Sequence, residues 1–235
     1  MPWSTAREEL ARETLKYVRR DSLYCRQNAL KALYRFGTPE NVTEAVKIID
    51  GSKGFFHEKI LTEGLLSYEG DHERLITLLW EAFDGFSNDT RHSVLNYIRF
   101  QTGAYQKEMY QILESPAMDK ELKLAAVRYF GKYPYEPARI RLIQMVQDRR
   151  PEYWEYAAVA ASSLAVYQGE ETVDALKEAL CSANWYVRYN ASASLDIRAL
   201  DYGDLIEAVN GKDRYAREMM MYRLESRRLR EGEQK

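Results

Sequence analysis

The sequence predicts an all-α fold: about six helical hairpins stacked in series, with a capping helix at each end. Three observations predict it. One amphipathic helix face recurs at intervals of 31 to 34 residues. Each recurrence is followed by a turn and a second amphipathic helix. Helix formers also outweigh turn formers, since 12 Gly and 6 Pro in 235 residues are too few for a sandwich of short strands. With 46% hydrophobic and 30% charged residues, the chain can bury a core and still carry a charged exterior.

The first helix of each hairpin is clearest at Val187-Arg188-Tyr189-Asn190-Ala191, with Leu195 one turn further on. The same order of apolar, basic, variable, variable and small residue returns at Cys25-Arg26-Gln27-Asn28-Ala29 with Leu33. It returns again at Thr90-Arg91-His92-Ser93-Val94 with Ile98, and at Leu122-Lys123-Leu124-Ala125-Ala126 with Phe130. Looser copies run from His57-Glu58 to Leu61 and Leu65, and from Tyr156-Ala157 to Ala160 and Leu164. The anchors Ala29, Leu61, Val94, Ala126, Ala160 and Ala191 are therefore separated by 32, 33, 32, 34 and 31 residues. Small side chains at four of these six positions let neighbouring helices approach closely.

Second helices follow in register. After the first repeat, Gly37-Thr38-Pro39-Glu40 turns the chain, with Pro39 placed to open the next helix. That helix buries Val42, Ala45, Val46 and Ile49, spaced i, i+3, i+4, i+7. Equivalent faces are Leu75, Leu78, Leu79 and Ala82, then Leu142, Ile143 and Val146, then Val173, Leu176 and Leu180. Breakers at 51–54, 85–89, Ser115-Pro116, Pro151 and 182–184 separate the hairpins.

The Val-Arg-x-x-Ala-x-x-x-Leu face, the Thr-Pro-Glu turn and the Asp-Gly ending of the second helix resemble the short bacterial HEAT repeat, over residues 22–214. Copies two, three and five depart from that pattern at the basic position or the turn. The resemblance implies a right-handed α-solenoid, second helices lining a concave surface, and a binding role toward other proteins. Residues 1–21 then form an N-terminal capping helix, with Thr5 and Glu8 spaced as a capping box, and residues 215–235 a C-terminal cap with a charged tail. Arg227, Arg228 and Arg230 suit the last turns of that helix, where cations meet the negative end of its dipole.

Composition narrows the function classes. Lys plus Arg total 34 against 36 Asp plus Glu, without the basic excess that phosphate binding draws on. Cys25 and Cys181 have no metal-ligand spacing, and Cys25 takes an apolar position of the repeat, where a small buried side chain is expected. Met1-Pro2-Trp3-Ser4 runs into a charged helix without a signal peptide, and the least polar stretch, 157–167, is too short to span a bilayer. These features lead to expectations of no membrane insertion by this polypeptide and of a cytoplasmic location, or the cytoplasmic face of a membrane if an anchor precedes it.

Enzymatic motifs are scarce. The pairs His57-Glu58 and His72-Glu73 resemble the ligand pairs of HEAT-like di-iron enzymes, but three histidines at three inequivalent repeat positions make no shared ligand set. HEAT-like alkylpurine DNA glycosylases use a basic groove with tryptophans around an acid, whereas only Trp80 among Trp3, Trp80, Trp154 and Trp185 falls on a second helix. Trp154 and Trp185 open first helices and are expected to pack at repeat junctions. No phosphate loop, Gly-x-Ser-x-Gly elbow or His-Glu-x-x-His is present. No cofactor, metal or catalytic residue is expected.

The resulting reading is a non-catalytic protein–protein interaction scaffold that binds no nucleic acid. The alternatives are a DNA-modifying enzyme of the glycosylase-like kind and a bilin-lyase-like chaperone. Aligning the second helices on their apolar faces places Glu44, Lys47, Thr77, Trp80, Glu108, Gln111, Arg141, Gln144, Ala175, Glu178, Glu207 and Asn210 along the implied concave side, with Trp80 as an aromatic anchor. Eighteen tyrosines add a second theme. Tyr97, Tyr129 and Tyr167 are expected between hairpins, and Tyr34, Tyr110 and Tyr189 nearer a surface.

Overall fold

The computed structural model describes residues 2–52, 58–197, 200 and 202–232. Among the described residues there are fourteen α-helices and no strand. They are α1 (Pro2–Val18), α2 (Leu23–Phe36), α3 (Pro39–Asp50), α4 (Glu58–Leu66), α5 (His72–Glu81), α6 (Asn88–Gln101) and α7 (Gln106–Glu114). The rest are α8 (Lys120–Phe130), α9 (Glu136–Gln147), α10 (Trp154–Ser163), α11 (Glu170–Ala179), α12 (Trp185–Ile197), α13 (Tyr202–Asn210) and α14 (Arg214–Gly232). None is long and apolar enough to cross a membrane among the described residues.

The chain divides into two compact units, Met1–Tyr105 with Asp119–Ala125, and Gln106–Met118 with Ala126–Lys235. In the first, α2 packs on α4 and α4 on α6, while α3 packs on α5, and α1 covers α2 and α3. In the second, α10 packs on α12 and α12 on α14, while α9 packs on α11. First helices thus stack on first helices and second on second, the sequential packing that a 32-residue period produces.

The anchors explain why. Ala29, Leu61, Val94, Ala126, Ala160 and Ala191 are all buried, and so are Leu33, Leu65, Ile98, Phe130, Leu164 and Leu195 four residues later. Val42, Ala45, Val46 and Ile49 are buried together on α3. Each larger side chain contributes about 1.5–3 kcal/mol by leaving water. The Thr38–Asn41 capping box that starts α3, with Pro39 at its first position, adds roughly 1 kcal/mol. Packing therefore decides how hairpins meet, and caps decide where helices begin.

The repeated arginine has a structural task. Arg26 donates to the carbonyl of Arg20, Arg91 to those of Phe83 and Asp84, and Arg188 to those of Ser182 and Ala183. Arg217 donates to Gly211 and Lys212, at 2.8 and 2.9 Å. Each guanidinium reaches back over its own helix start and donates to carbonyls of the turn before it. Arg217, with buried Ala216 and Met220, gives α14 the same face as the other first helices.

Side-chain hydrogen bonds tie successive hairpins at the same period. Tyr68 Oη donates to Gly37 O at 3.2 Å in the first unit. In the second, Ser163 Oγ donates to Val127 O at 2.9 Å, Ser194 Oγ to Ala161 O at 2.8 Å, and Asn190 Nδ2 to Ala158 O at 2.8 Å. Ser163 can approach because Gly131 faces it, where a Cβ would stand 2.9 Å from the hydroxyl.

Several expectations are corrected. Thr5 lies inside α1, which begins at Pro2, rather than at its start. On α5, Leu78 and Ala82 are only half-buried while Ile76 is buried, because α5 packs against both α3 and α6 and its buried arc turns accordingly. Ile143 and Val173 are likewise half-buried. Cys25 is half-buried in the first turn of α2. Tyr34 is buried rather than near a surface, because Gly64 opposite it has no side chain: a Cβ there would stand 2.5 Å from the Tyr34 ring. His57, and the side chains of Trp3, Glu58 and Arg230, lie outside the described residues.

Candidate functional site

The second-helix ladder can be followed within each unit. In the first, Lys47 on α3 is exposed, and Glu44 is half-buried with its carboxylate 2.9 Å from Arg19 Nη2. Thr77 on α5 donates to Glu73 O at 3.0 Å, as an exposed helical threonine often does. Trp80 is half-buried, stacked on Phe83 at 4.8 Å with the Tyr105 ring edge-on at 5.3 Å. Its indole completes the packing of the short 3-10 turn Phe83–Gly85.

In the second unit Gln111, Gln144, Glu178, Glu207 and Asn210 are exposed, and Glu108 is half-buried. Arg141 Nη1 donates to Gln144 Oε1 at 3.2 Å, and Arg141 Nε lies 3.0 Å from Glu114. Glu178 accepts from Gln147 Nε2 at 3.4 Å, and Glu207 lies 3.1 Å from Lys177 Nζ. Ala175 is buried and leaves the ladder, since α11 meets both α9 and α12. Most charges here pair with a neighbour on the same or the next helix. Such exposed pairs contribute little to stability, about 0–1 kcal/mol each.

A different surface of the second unit gathers aromatic rings. Trp185, Tyr186, Tyr189, Tyr215 and Tyr222 are exposed on α12 and α14. Trp185 was expected at a packed junction and is instead 51% accessible, because six residues before the anchor Ala191 it falls beyond the buried arc of α12. Trp185 stacks on Tyr189 at 5.0 Å and 20°, and Trp154 stacks on Tyr186 at 5.5 Å and 27°. Two guanidinium groups join them: Arg188 lies over Tyr215 at 5.0 Å and Arg223 over Tyr189 at 4.6 Å.

The charges on this face are uneven. Asp196 is locked to Arg227 at 2.6 Å, with both side chains largely covered, and Glu218 pairs with Arg214 at 2.7 Å. Asp213 accepts from Ala216 N and caps α14, where the helix dipole meets its charge. Arg188, Arg217 and Arg223 donate only to carbonyl and hydroxyl oxygens among the described residues. Their charges meet no carboxylate.

Beside the rings lies a pocket of about 420 Å³ between the turns that precede α10 and α12. Val146, Trp154, Ala157 and Val187 give its lining an apolar part, and Arg149, Ser182 and Asn184 a polar one. Arg150, also lining it, is held by both oxygens of Asp148, and that pair keeps the Asp148 carboxyl below its usual range. Arg149 gives its hydrogen bond to Glu178 O at 3.3 Å. Burial raises the Cys181 thiol in the same lining, with Asp213 adding to the effect.

Four further tyrosines are structural. Tyr97 and Tyr129 are fully buried, Tyr68 and Tyr167 nearly so. Burial pushes Tyr68 and Tyr167 up to about 12 and raises Tyr34 and Tyr97 above them. His72 Nδ1 lies 2.7 Å from Tyr97 Oη. Tyr110 is half-buried, edge-on to Tyr135 at 5.9 Å. Among the described residues no three His, Cys, Asp or Glu come close enough to hold a metal ion.

The rings and arginines of this face sit on first helices, outside the second-helix register from which the ladder is read. The signal was present: Tyr24, Tyr186 and Tyr215 each stand five residues before the repeat's small or apolar anchor, and all three are exposed. No family model matches the chain. No curated protein matches it at a significant level either.

Proposed function

We propose that this chain is a HEAT-like helical-repeat scaffold, without catalysis of its own, whose second unit holds a partner protein on the α12–α14 face. The observation that carries the reading is the exposed cluster of Trp185, Tyr186, Tyr189, Tyr215 and Tyr222 with Arg188 and Arg223. Tyr, Trp and Arg dominate the energetics of protein interfaces, because their large rigid side chains exclude water at little entropic cost. Rings so exposed contribute little to the chain's own core. The period of anchors and the like-on-like packing within each unit support the kinship to HEAT arrays.

The second-helix ladder, Lys47 and Trp80 in the first unit and Gln111 and Gln144 in the second, competes for the same role. A photo-crosslinking residue, p-benzoylphenylalanine, placed at position 186 or at position 47 separates them. Protein adducts at 186 in extracts of the source cells, lost when purified unlabelled scaffold competes, are the expected result. Adducts only at 47 would move the site to the ladder, and adducts at neither would remove the scaffold reading.

A further inference from the structure

The chemistry of the α12–α14 face narrows the kind of partner, on the premise that this face is where the partner docks. Among the described residues, four guanidinium groups on or beside it meet no carboxylate: Arg149 in the pocket lining, Arg188 and Arg223 over the rings, and Arg217 at the start of α14. The acids Asp196 and Glu218 are already paired, Asp213 caps α14, Glu178 accepts from Gln147, and Glu225 stands exposed further along α14. The protein is net −2, yet the charges of these guanidinium groups are not neutralised by a carboxylate among the described residues. A planar guanidinium fork with unused donors matches a carboxylate best.

Alongside the cations is a cavity of about 420 Å³ whose lining mixes the apolar Val146, Trp154, Ala157 and Val187 with the polar Arg149, Ser182 and Asn184 and the Asp148–Arg150 pair. That volume takes one large apolar side chain. We propose that the second unit binds an acidic peptide segment of its partner, with an aromatic or aliphatic side chain seated on Trp154 and flanking carboxylates on Arg149, Arg188 and Arg223.

Single-stranded nucleic acid shares the attraction to cations and rings, but base stacking needs free ring faces. Tyr189 already carries Trp185 in near-parallel stacking and Arg223 over its ring, and Tyr215 carries Arg188. Trp154 likewise stacks on Tyr186, so each of these rings already gives one side to a neighbour and no run of rings is left free on both sides to take successive bases. The acidic peptide is the better fit.

Fluorescence anisotropy with the purified full chain tests this. The probe is a fluorescein-labelled dodecapeptide alternating Glu with Phe and Leu, set against the same peptide with Gln for every Glu and against a dodecamer of thymidine. The acidic peptide is expected to bind at least about tenfold tighter than the Gln peptide, with affinity falling as salt rises. Arg149→Glu and the double change Trp185→Ala with Tyr186→Ala alter exposed side chains and keep the fold, verified by thermal melting. Each is expected to weaken the acidic peptide by about tenfold, the effect of losing one good charged or aromatic contact. Equal binding of the Gln peptide, tighter binding of the oligonucleotide, or no loss in both variants would overturn the proposal. Adducts at position 186 with no acidic-peptide binding would overturn the peptide chemistry alone and leave the docking face standing.

Discussion

Tyr97 in the first unit and Tyr186 in the second are both tyrosines of first helices, and they serve opposite purposes. Tyr97, three residues after its anchor Val94, is wholly buried, with its hydroxyl on His72. Tyr186, five residues before its anchor Ala191, is 56% accessible. Tyr129 repeats the first arrangement and Tyr24 and Tyr215 the second. Helical register alone sorts them, since three residues keep a side chain near the anchor's side and five before it carry it round toward water. The first unit hides Tyr34, Tyr68 and Tyr97, whereas α12 and α14 of the second unit turn five rings outward.

The most direct way to break this contrast is truncation of an inward ring. Tyr97→Ala should cost about 3–5 kcal/mol in urea unfolding, since it empties a packed site and strands the His72 nitrogen. A loss below about 1 kcal/mol would mean the first unit does not depend on that ring. Next in size is overpacking of an anchor: Ala191→Leu should destabilise by about 1–3 kcal/mol, because its Cβ faces packed helices. Arg91→Ala should cost about 1–2 kcal/mol by removing its hydrogen bonds to the carbonyls of Phe83 and Asp84, and Lys at that position should recover only part.

Titration sharpens the comparison. Tyr68 and Tyr167 are pushed up to about 12 and Tyr34 and Tyr97 beyond, against about 10 in an unfolded chain. The folded state holds these protons more tightly, so their contribution is complete below pH of about 10 and is lost as pH rises through the folded values. Urea midpoints should therefore fall between about pH 10 and 12, and the fall should be shallower in Tyr68→Phe. The smallest expected effect is that of Tyr186→Ala, within about 0.5 kcal/mol of the parent, because an exposed ring has little to lose on folding. A large loss there would show that the outward rings hold the fold rather than a partner.

Much of the architecture was readable from the chain. The anchors Ala29 to Ala191 and the residues four later are all buried, because a helix face that recurs with constant spacing can be satisfied only by a neighbour with the same face. Thr38-Pro39 placed the start of α3 to the residue, since caps and Pro act on the local backbone. Trp185 went wrong for the converse reason: its place beside a turn was visible, but whether a neighbour covers it depends on helices far along the chain.

The sequence by itself determined the helical class, the period of the buried anchors and the start of α3, all consequences of spacing within one segment. Tertiary structure alone decided which surface is unspent. It sent Arg188, Arg217 and Arg223 to carbonyls instead of carboxylates, and buried Tyr34 against the bare backbone of Gly64. It also stacked Trp185 on Tyr189 in the open. Those outcomes depend on which side chains from different hairpins meet, and a charge or a ring becomes available for binding only when no such partner has reached it.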